Sequence, residues 1–178
     1  MFIAMPKNNH PVEPIVIKNA KIVMKNRNFK GESIPPYNAA GERNFSVLLD
    51  PEQVDIQEMI ALGWNVKFGK PNLEDPDDVP PAFLRVKVKY NQPGDRNLDR
   101  LNPKISMFTS AGETVIDEET VGNLDSVEIV KANLTIRGSW KESPTYTGVV
   151  AYLKTMAVRI YEDDEDAISD MREGIMDD

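Results

Sequence analysis

One segment of the sequence places three cations on the same side of a predicted β-strand. Between Phe83 and Tyr90, apolar or aromatic residues occupy the even positions, and Arg85, Lys87 and Lys89 occupy odd positions between them. Because successive side chains of a strand point to opposite faces, and two residues advance the chain by about 6–7 Å, the cations would form a row. This spacing is close to the phosphate repeat of an extended nucleic-acid strand and predicts a phosphate-binding face. An ordinary solvated face, with lysines that discourage edge pairing, is the alternative.

Aromatic residues stand beside basic residues in several other segments. Phe108 falls on the polar side of a predicted strand, and Trp140 and Tyr146 fall in a predicted loop where no core requires them. Rings that stack on bases and cations that neutralise phosphates are what a single-strand binder needs. Packing at the edge of the core is the alternative for each ring. The candidate interface comprises Trp64, Lys67, Arg85, Lys87, Lys89, Lys104, Phe108, Lys131, Arg137, Trp140 and Tyr146.

The residues typical of catalytic and metal sites are scarce. The chain has no cysteine, and its one histidine, His10, lies in a segment rich in proline and asparagine. There is no glycine-rich phosphate loop and no calcium-loop pattern. We therefore predict no enzymatic activity, no catalytic residues, no metal site and no cofactor. A metal-dependent nuclease built on Asp117, Glu118 or Glu119 is an alternative, although solvated acidic turns also explain these residues.

The net charge of the chain is concentrated at its C-terminal end. Residues 162–178 contain nine acids and one base, which accounts for the whole formal net charge of −8. A block of like charge does not pack and commonly serves as an interaction arm. We expect this tail to be disordered and to compete with nucleic acid for the basic face. Ile168, Met171 and Ile175 have helical spacing and would let the tail fold on a protein partner.

The elements that must position these residues are mainly strands. Seven are predicted, over residues 15–24, 44–49, 65–70, 83–90, 104–109, 127–137 and 149–161. One helix is predicted over 51–62, with Asp50 as N-cap, Gln53 completing a capping box and Gly63 as the C-terminal signal. Short strands separated by Gly, Pro and Asn turns favour an antiparallel barrel or sandwich.

The domain organisation follows from the same pattern. We predict a flexible N-terminal arm over residues 1–14, a β-domain over 15–161 and the acidic tail over 162–178. No run approaches the ~18 apolar residues of a membrane helix, and the N-terminus has no stretch typical of a signal peptide. We therefore expect a cytoplasmic protein with no membrane association.

Five segments resemble those of phage-encoded single-stranded DNA-binding proteins. They are Arg43–Asp50, Gly63–Lys67, Leu84–Val88, Pro103–Ile105 and Gly148–Met156. The resemblance extends from about Ile15 to Tyr161, and the acidic tail agrees with it. It implies an OB-like antiparallel barrel of about five to seven strands with one helix, which coats single-stranded DNA during phage replication or recombination in the infected bacterial cell. We expect replication or recombination proteins to be partners of the tail.

A phage structural or assembly protein with a β-sandwich fold is the alternative function. An anionic tail and a seven-strand sandwich would suit that role as well. The feature that separates the two is the cationic and aromatic face, because a capsid or tail subunit does not require one. The sequence therefore favours a protein that binds single-stranded DNA with little sequence preference.

Overall fold

The structure, a computed structural model of the chain, describes residues 12–36, 38–70, 73–75, 77, 79–91 and 101–161. Within these residues, nine strands form one sheet, accompanied by one short α-helix and one short 3-10 helix. No described helix is long and apolar enough to cross a membrane. The elements in chain order are β1 (Ile15–Ala20), β2 (Ile22–Asn28), β3 (Arg43–Leu49), α1 (Ile56–Ala61), β4 (Val66–Phe68), β5 (Ala82–Val88), β6 (Lys104–Thr109), β7 (Gly112–Ile116), the 3-10 helix (Val121–Asp125), β8 (Ile129–Glu142) and β9 (Thr147–Ile160).

The strands follow one ladder with two side branches. The order is β1-β8-β9-β5-β3-β2, with β4 beside β5 and the β6–β7 hairpin attached to β9. Strands β5 and β6 both run parallel to β9, whereas the other pairs are antiparallel. The two end strands of the ladder, β1 and β2, are separated in the chain by Lys21 alone. The chain itself, rather than a hydrogen-bonded pair, therefore joins the two ends.

The prediction of a closed antiparallel barrel with five to seven strands is wrong in three respects. The described chain has nine strands, two of the pairings are parallel, and the hydrogen-bonded ladder has two ends. The segment predicted as one strand over 15–24 is divided into β1 and β2, near Asn19, whose φ of 52° is a left-handed value that asparagine tolerates. The short strand β7 was not predicted, because its five residues follow a tight turn.

The predicted helix over 51–62 is shorter and has a different cap. Helix α1 begins after Asp55, whose carboxylate accepts a backbone N–H of the first turn. Asp50 instead accepts backbone N–H groups of the turn that precedes the helix, and Gln53 exchanges two hydrogen bonds of 2.8 Å with the backbone of Lys18 in β1. The expectation at Gly63 is confirmed, since its φ is 99°.

The core lies on the inner face of the sheet. Along β5 the buried positions alternate with positions that are exposed or half-buried, as predicted. Phe29 and Phe45 are fully buried and stack with their ring centroids 5.1 Å apart. The opposite, outer face of the sheet carries most of the charged side chains. Alternation therefore fixes which residues can meet a ligand.

A β-bulge interrupts the alternation in the middle of β9. Thr155 pairs with Thr135 of β8, but the next pair joins Leu153 to Ile136, so one extra residue lies in β9. The extra residue leaves Leu153 buried while Lys154 and Thr155 both avoid the core. Bulges re-aim side chains in this way without ending a strand.

The β8–β9 hairpin is longer than its sequence predicts. The predicted loop over 138–148 is mostly strand, and the turn is confined to residues around Ser143 and Tyr146. Gly138 is required here by close packing, because a Cβ atom at this position would lie 2.7–2.8 Å from side-chain atoms of Val12, Val149 and Trp64. Residue 12 of the predicted arm thus packs on the domain, whereas residues 1–11 and the acidic tail, 162–178, lie outside the described residues.

Candidate nucleic-acid interface

A groove of about 620 Å³ crosses the ends of β3 and β5 and reaches the β8–β9 hairpin. Four basic residues, two acidic residues and two tyrosines are among the residues that line it. A cleft with an excess of cations attracts an anionic ligand. The residues that line the groove are Gly41, Glu42, Arg43, Asn44, Lys87, Val88, Lys89, Tyr90, Glu118, Lys141 and Tyr152.

The register of three strands brings an arginine, a tyrosine and a lysine into one row. Lys87 of β5 is paired with Tyr152 of β9, and Tyr152 is paired with Arg137 of β8. The guanidinium carbon of Arg137 lies 4.4 Å from the centre of the Tyr152 ring, within the range of a cation–π contact. Burial lowers the pKa of Arg137, with Tyr152 acting in the opposite direction. The row therefore presents a tyrosine ring with a stacked guanidinium on one side and an exposed lysine on the other.

A second arginine–tyrosine pair lies at the other side of the groove. The guanidinium carbon of Arg43 is 5.6 Å from the centre of the Tyr90 ring. Burial raises the pKa of Tyr90 to about 12, Arg43 lowers it, and Glu118 and Asp117 raise it. The Tyr90 hydroxyl is therefore protonated at neutral pH and able to donate a hydrogen bond.

Three buried side-chain polar atoms in the described chain have no hydrogen-bond partner. They are Nε of Arg43, the hydroxyl oxygen of Tyr90 and Nε of Arg137. Buried polar groups are satisfied in the great majority of cases, so each exception needs an explanation. All three belong to the two arginine–tyrosine pairs at the groove.

Arg85, a member of the predicted cation row, is engaged within the protein. Its guanidinium donates to Oγ of Ser46 at 3.1 Å, to the carbonyl of Asn26 at 2.7 Å, and to Oδ1 of Asn44. Burial also lowers the pKa of Arg85. The prediction that Arg85 is a free phosphate contact is therefore not supported, because neighbouring strands already use its donors. Lys87 and Lys89 remain exposed, as predicted.

The contacts of Arg85 support the loop that borders the groove. Asn44, which accepts from Arg85, donates to Oδ1 of Asn38 at 2.8 Å. The Asn38 amide in turn donates to the carbonyls of Glu32 and Glu42, both at 2.8 Å. Glu42 lines the groove, so Arg85 holds one wall in place through two asparagines. Arg85 is a positioning residue.

Three of the four aromatic residues in the predicted interface are held by the fold in different ways. Trp64 is 5% exposed and belongs to the core, so its prediction as a stacking ring is wrong. Trp140 lies in β8, not in a loop, packs partly against the core and donates from Nε1 to Glu142 at 3.0 Å. The Tyr146 hydroxyl donates to the carbonyl of Val149 at 2.9 Å, and burial raises its pKa.

The remaining predicted residues lie on the outer face but apart from the groove. Lys67 is exposed on β4, opposite Phe83 of β5. Lys104 and Phe108 lie on β6 and Lys131 on β8, and β9 lies between these two strands. The structure thus brings Lys87 and Lys89 into the groove, places Arg137 beside it through the contact with Tyr152, and places Lys104, Phe108 and Lys131 further along β9.

The sequence pattern did not reveal four residues that line the groove. They are Arg43, Tyr90, Lys141 and Tyr152. Tyr152 had a usable signal, because it falls at an outward position of the predicted strand over 149–161. Arg43 and Tyr90 had none, since each has the inward parity of its strand and reaches the groove only at the strand end. Lys141 was hidden by the prediction of a loop.

The acidic residues of the alternative nuclease site form no metal cluster. Among the described residues, no three of the residue types that bind metals are grouped closely enough to hold an ion. The carboxylate of Asp117 accepts the backbone N–H groups of Glu119 and Thr120 at 3.0 Å each, so it stabilises a turn. Glu118 lines the groove instead.

Comparisons with known proteins agree with the resemblance seen in the sequence. Residues 5–173 match a family model described as "Putative phage ssDNA-binding domain". Among solved structures, the fold is similar to that of a single-stranded DNA-binding protein from bacteriophage Enc34 in complex with ssDNA, with a TM-score of 0.51, 10% sequence identity, and coverage of 84% of this chain and 88% of that one. No curated protein matches the chain significantly. Since the family model spans nearly the whole sequence, the chain belongs to the phage ssDNA-binding domain family.

Proposed function

We propose that this protein binds single-stranded DNA with little sequence preference, and that the groove is its principal binding site. The observation that carries the proposal is the stack of Arg137 on Tyr152, a residue that lines the groove and is paired with Lys87. A base stacks on this pair, and neighbouring phosphates pair with Lys87, Lys89 and Lys141. Duplex DNA keeps its bases stacked on one another, so the groove favours single strands.

The groove explains affinity without sequence recognition. Every base has a flat face that can stack on a ring or on a guanidinium plane, and every nucleotide carries the same phosphate. Glu42 and Glu118, which also line the groove, disfavour phosphates beside them and direct the backbone towards the lysines. The activity proposed is therefore binding, with no chemical step.

We infer that the sheet is an elaborated OB-type fold whose hydrogen-bonded ladder stays open. In support, β1 and β2 behave as one bent strand that pairs with β8 and with β3, and β5 runs parallel to β9. OB barrels bind oligonucleotides on strands two and three and on the loops that flank them. By this order β3 and β5 are those strands, and the loop ending at Glu42 and the β8–β9 hairpin are the flanking connections.

The acidic tail is proposed to regulate the groove. The tail begins directly after Tyr161 and carries −8, so tethering gives it a high effective concentration near the basic face. We propose that the tail competes with DNA at low salt and, once displaced, recruits replication or recombination proteins. The setting proposed is the cytoplasm of an infected bacterial cell.

The test is the affinity of the purified protein for labelled oligo-dT, measured by fluorescence anisotropy with matched duplex and ssRNA controls. We expect tight binding to oligo-dT and much weaker binding to duplex. Tyr152→Ala removes the ring and is expected to weaken oligo-dT binding by roughly 1–3 kcal/mol. Tyr152→Phe is the matched control, because it keeps the ring and loses only the hydroxyl. Equal affinity for duplex and single strands, or an unchanged Kd in folded Tyr152→Ala, would overturn the proposal.

A further inference from the structure

The outer face of the sheet continues beyond the groove, along the second half of β9. There β8, β9 and β6 lie side by side, and their registers align three rows of residues. A shallow depression of about 390 Å³ is lined by the first two rows and by Phe108 of the third. The rows are Thr135–Thr155–Lys104, Asn133–Ala157–Ser106 and Lys131–Arg159–Phe108. We refer to these nine residues as the β9 track.

The β9 track has small side chains in the middle and cations at both ends. Ser106, Ala157 and Asn133 form the central row and leave the depression open, whereas Lys104 precedes it on β6 and Arg159 follows it on β9. A flat depression with cations spaced along it suits a backbone that carries one phosphate per residue. It does not suit a compact anion, for which the cations would have to converge.

Phe108 occupies the far end of the track without a structural reason in the core. Its ring is only partly buried, and it is not among the partly buried apolar side chains that pack against the core, unlike its neighbour Met107. The strand register sets Arg159 directly opposite Phe108, and Lys131 directly opposite Arg159. A half-exposed ring next to two cations is the arrangement in which a base can stack while its phosphates are neutralised.

The groove and the track are connected along one strand. Tyr152 of the groove and Arg159 of the track are seven residues apart on β9, which corresponds to roughly 20 Å. The bulge turns Lys154 away from the core between them, and Lys154, Lys104 and Arg137 line a further depression of about 330 Å³ at this point. Cations thus continue from the groove to the near end of the track at Lys104. About three nucleotides of an extended strand would span the distance.

We propose that single-stranded DNA leaves the groove along the β9 track and stacks a second base on Phe108, so that the site has two stacking positions separated by about three nucleotides. This inference rests on the proposed function, because it extends the same ligand. Glu113 of β7, which pairs with Phe108, places an acid just beyond the ring and marks the end of the path. The ligand length that saturates the protein is then set by the track rather than by the groove.

The test measures how affinity depends on oligonucleotide length. The Kd for oligo-dT is compared between a short length that fills only the groove, about four nucleotides, and a length of about ten, for the wild type and for Phe108→Ala. We expect Phe108→Ala to weaken binding of the long oligonucleotide by roughly five- to 150-fold and to leave the short one unchanged. The matched control is Phe68→Ala, because Phe68 is 51% exposed on β4 and lies outside the track.

A folding defect and the failure of the proposed function are separable from failure of this inference. Phe108→Leu keeps apolar bulk without a ring and serves if the alanine variant does not fold, with thermal melting as the check. An equal loss for both lengths, or no loss for either, overturns the second stacking position. Absence of wild-type binding to either oligonucleotide refutes the proposed function instead. Replacing Lys131 and Arg159 by alanine is expected to reduce the slope of log affinity against log salt by about 1.4, and only for the long oligonucleotide.

Discussion

Two half-buried arginines of the outer face, Arg85 on β5 and Arg137 on β8, have opposite surroundings. Arg85 donates to three acceptors on its neighbours, Asn26, Ser46 and Asn44. Arg137 stacks on a tyrosine ring, and its Nε has no partner in the described chain. Burial lowers the pKa of both residues. Charge and burial alone therefore do not distinguish an arginine that supports the fold from one that is available to a ligand.

The comparison teaches where to look for a ligand contact in this fold. A guanidinium has five donors, and the number already bonded within the protein decides what it can offer to a phosphate or a base. In the region of β3 and β5 these donors stabilise the groove wall. In the region of β8 and β9, the guanidinium of Arg137 stacks on Tyr152, and no neighbouring strand accepts a hydrogen bond from its buried Nε in the described chain. The following predictions examine that difference, beginning with the largest effect.

Arg85→Ala should lower the stability of the protein by about 2–3 kcal/mol, because it removes the charged hydrogen bonds to the exposed carbonyl of Asn26 and to the part-buried side chain of Asn44. The measurement is the free energy of unfolding from urea titration. The slope of log affinity against log salt should stay unchanged, because no phosphate contact is lost. A stable variant with a smaller slope would show that Arg85 is a DNA contact and would remove the contrast with Arg137.

Arg137→Ala should have the opposite effect, with affinity for oligo-dT reduced by about 1–2 kcal/mol and a smaller loss of stability. Arg137→Lys is the matched variant, since it keeps the charge and loses the planar stack on Tyr152. We expect the lysine variant to keep the salt slope and to recover only part of the affinity. Full recovery of the affinity in the lysine variant would show that DNA binding depends on the charge at this position and not on the stack.

The two exposed lysines of β5 should contribute through salt-dependent contacts. Lys87→Ala with Lys89→Ala should reduce the slope of log affinity against log salt by about 1.4, from ~0.7 for each lost phosphate contact. Adding Arg85→Ala should reduce the slope no further, although the sequence pattern predicts a reduction of about 2 for the triple change. Lys25→Ala with Lys70→Ala, two exposed lysines outside the groove, is the control.

The smallest effect concerns Tyr90 at high pH. Burial raises the pKa of Tyr90 to about 12 from an ordinary value of 10, so folding favours the protonated hydroxyl. The corresponding stability is fully present below pH 10 and is lost as the pH rises towards 12. Tyr90→Phe should therefore resist alkaline unfolding better than the wild type over this interval. Parallel unfolding curves of the two proteins between pH 10 and 12 would contradict the assigned pKa.

Much of the fold was predictable because local chemistry determines it. The alternation of β5, the strands β3 and β6, and the left-handed backbone at Gly63 follow from period-two patterns and glycine. The parallel pairing of β5 and β6 with β9 was not predictable, since it joins segments far apart in the chain. The cap at Asp55 was missed because Asp50 offered an equally good local signal.

The residue types at the site were predictable from the sequence, but the individual residues that form it were less so. The alternation of side chains along the strands identified Lys87, Lys89 and Arg137 correctly as outward residues, and it identified Arg85 as outward as well. It could not show that Arg85 bonds to two other strands, because those contacts depend on register. It also could not show that Trp64 fills the space above Gly138. The resemblance to phage single-stranded DNA-binding proteins is confirmed by the family match.

The bulge in β9 makes the effect of a deletion depend on where in the strand it falls. Deleting Lys154 would remove the extra residue and leave Leu153 paired with Ile136 and Thr155 paired with Thr135. Met156 and Val158 would still face the core, and Arg159 would still face outwards. Deleting Ala157, outside the bulge, would instead move every later residue by one position, so that Val158 would point to solvent and Arg159 inwards. Loss of one codon from the gene is therefore tolerable at the bulge and disruptive three codons later.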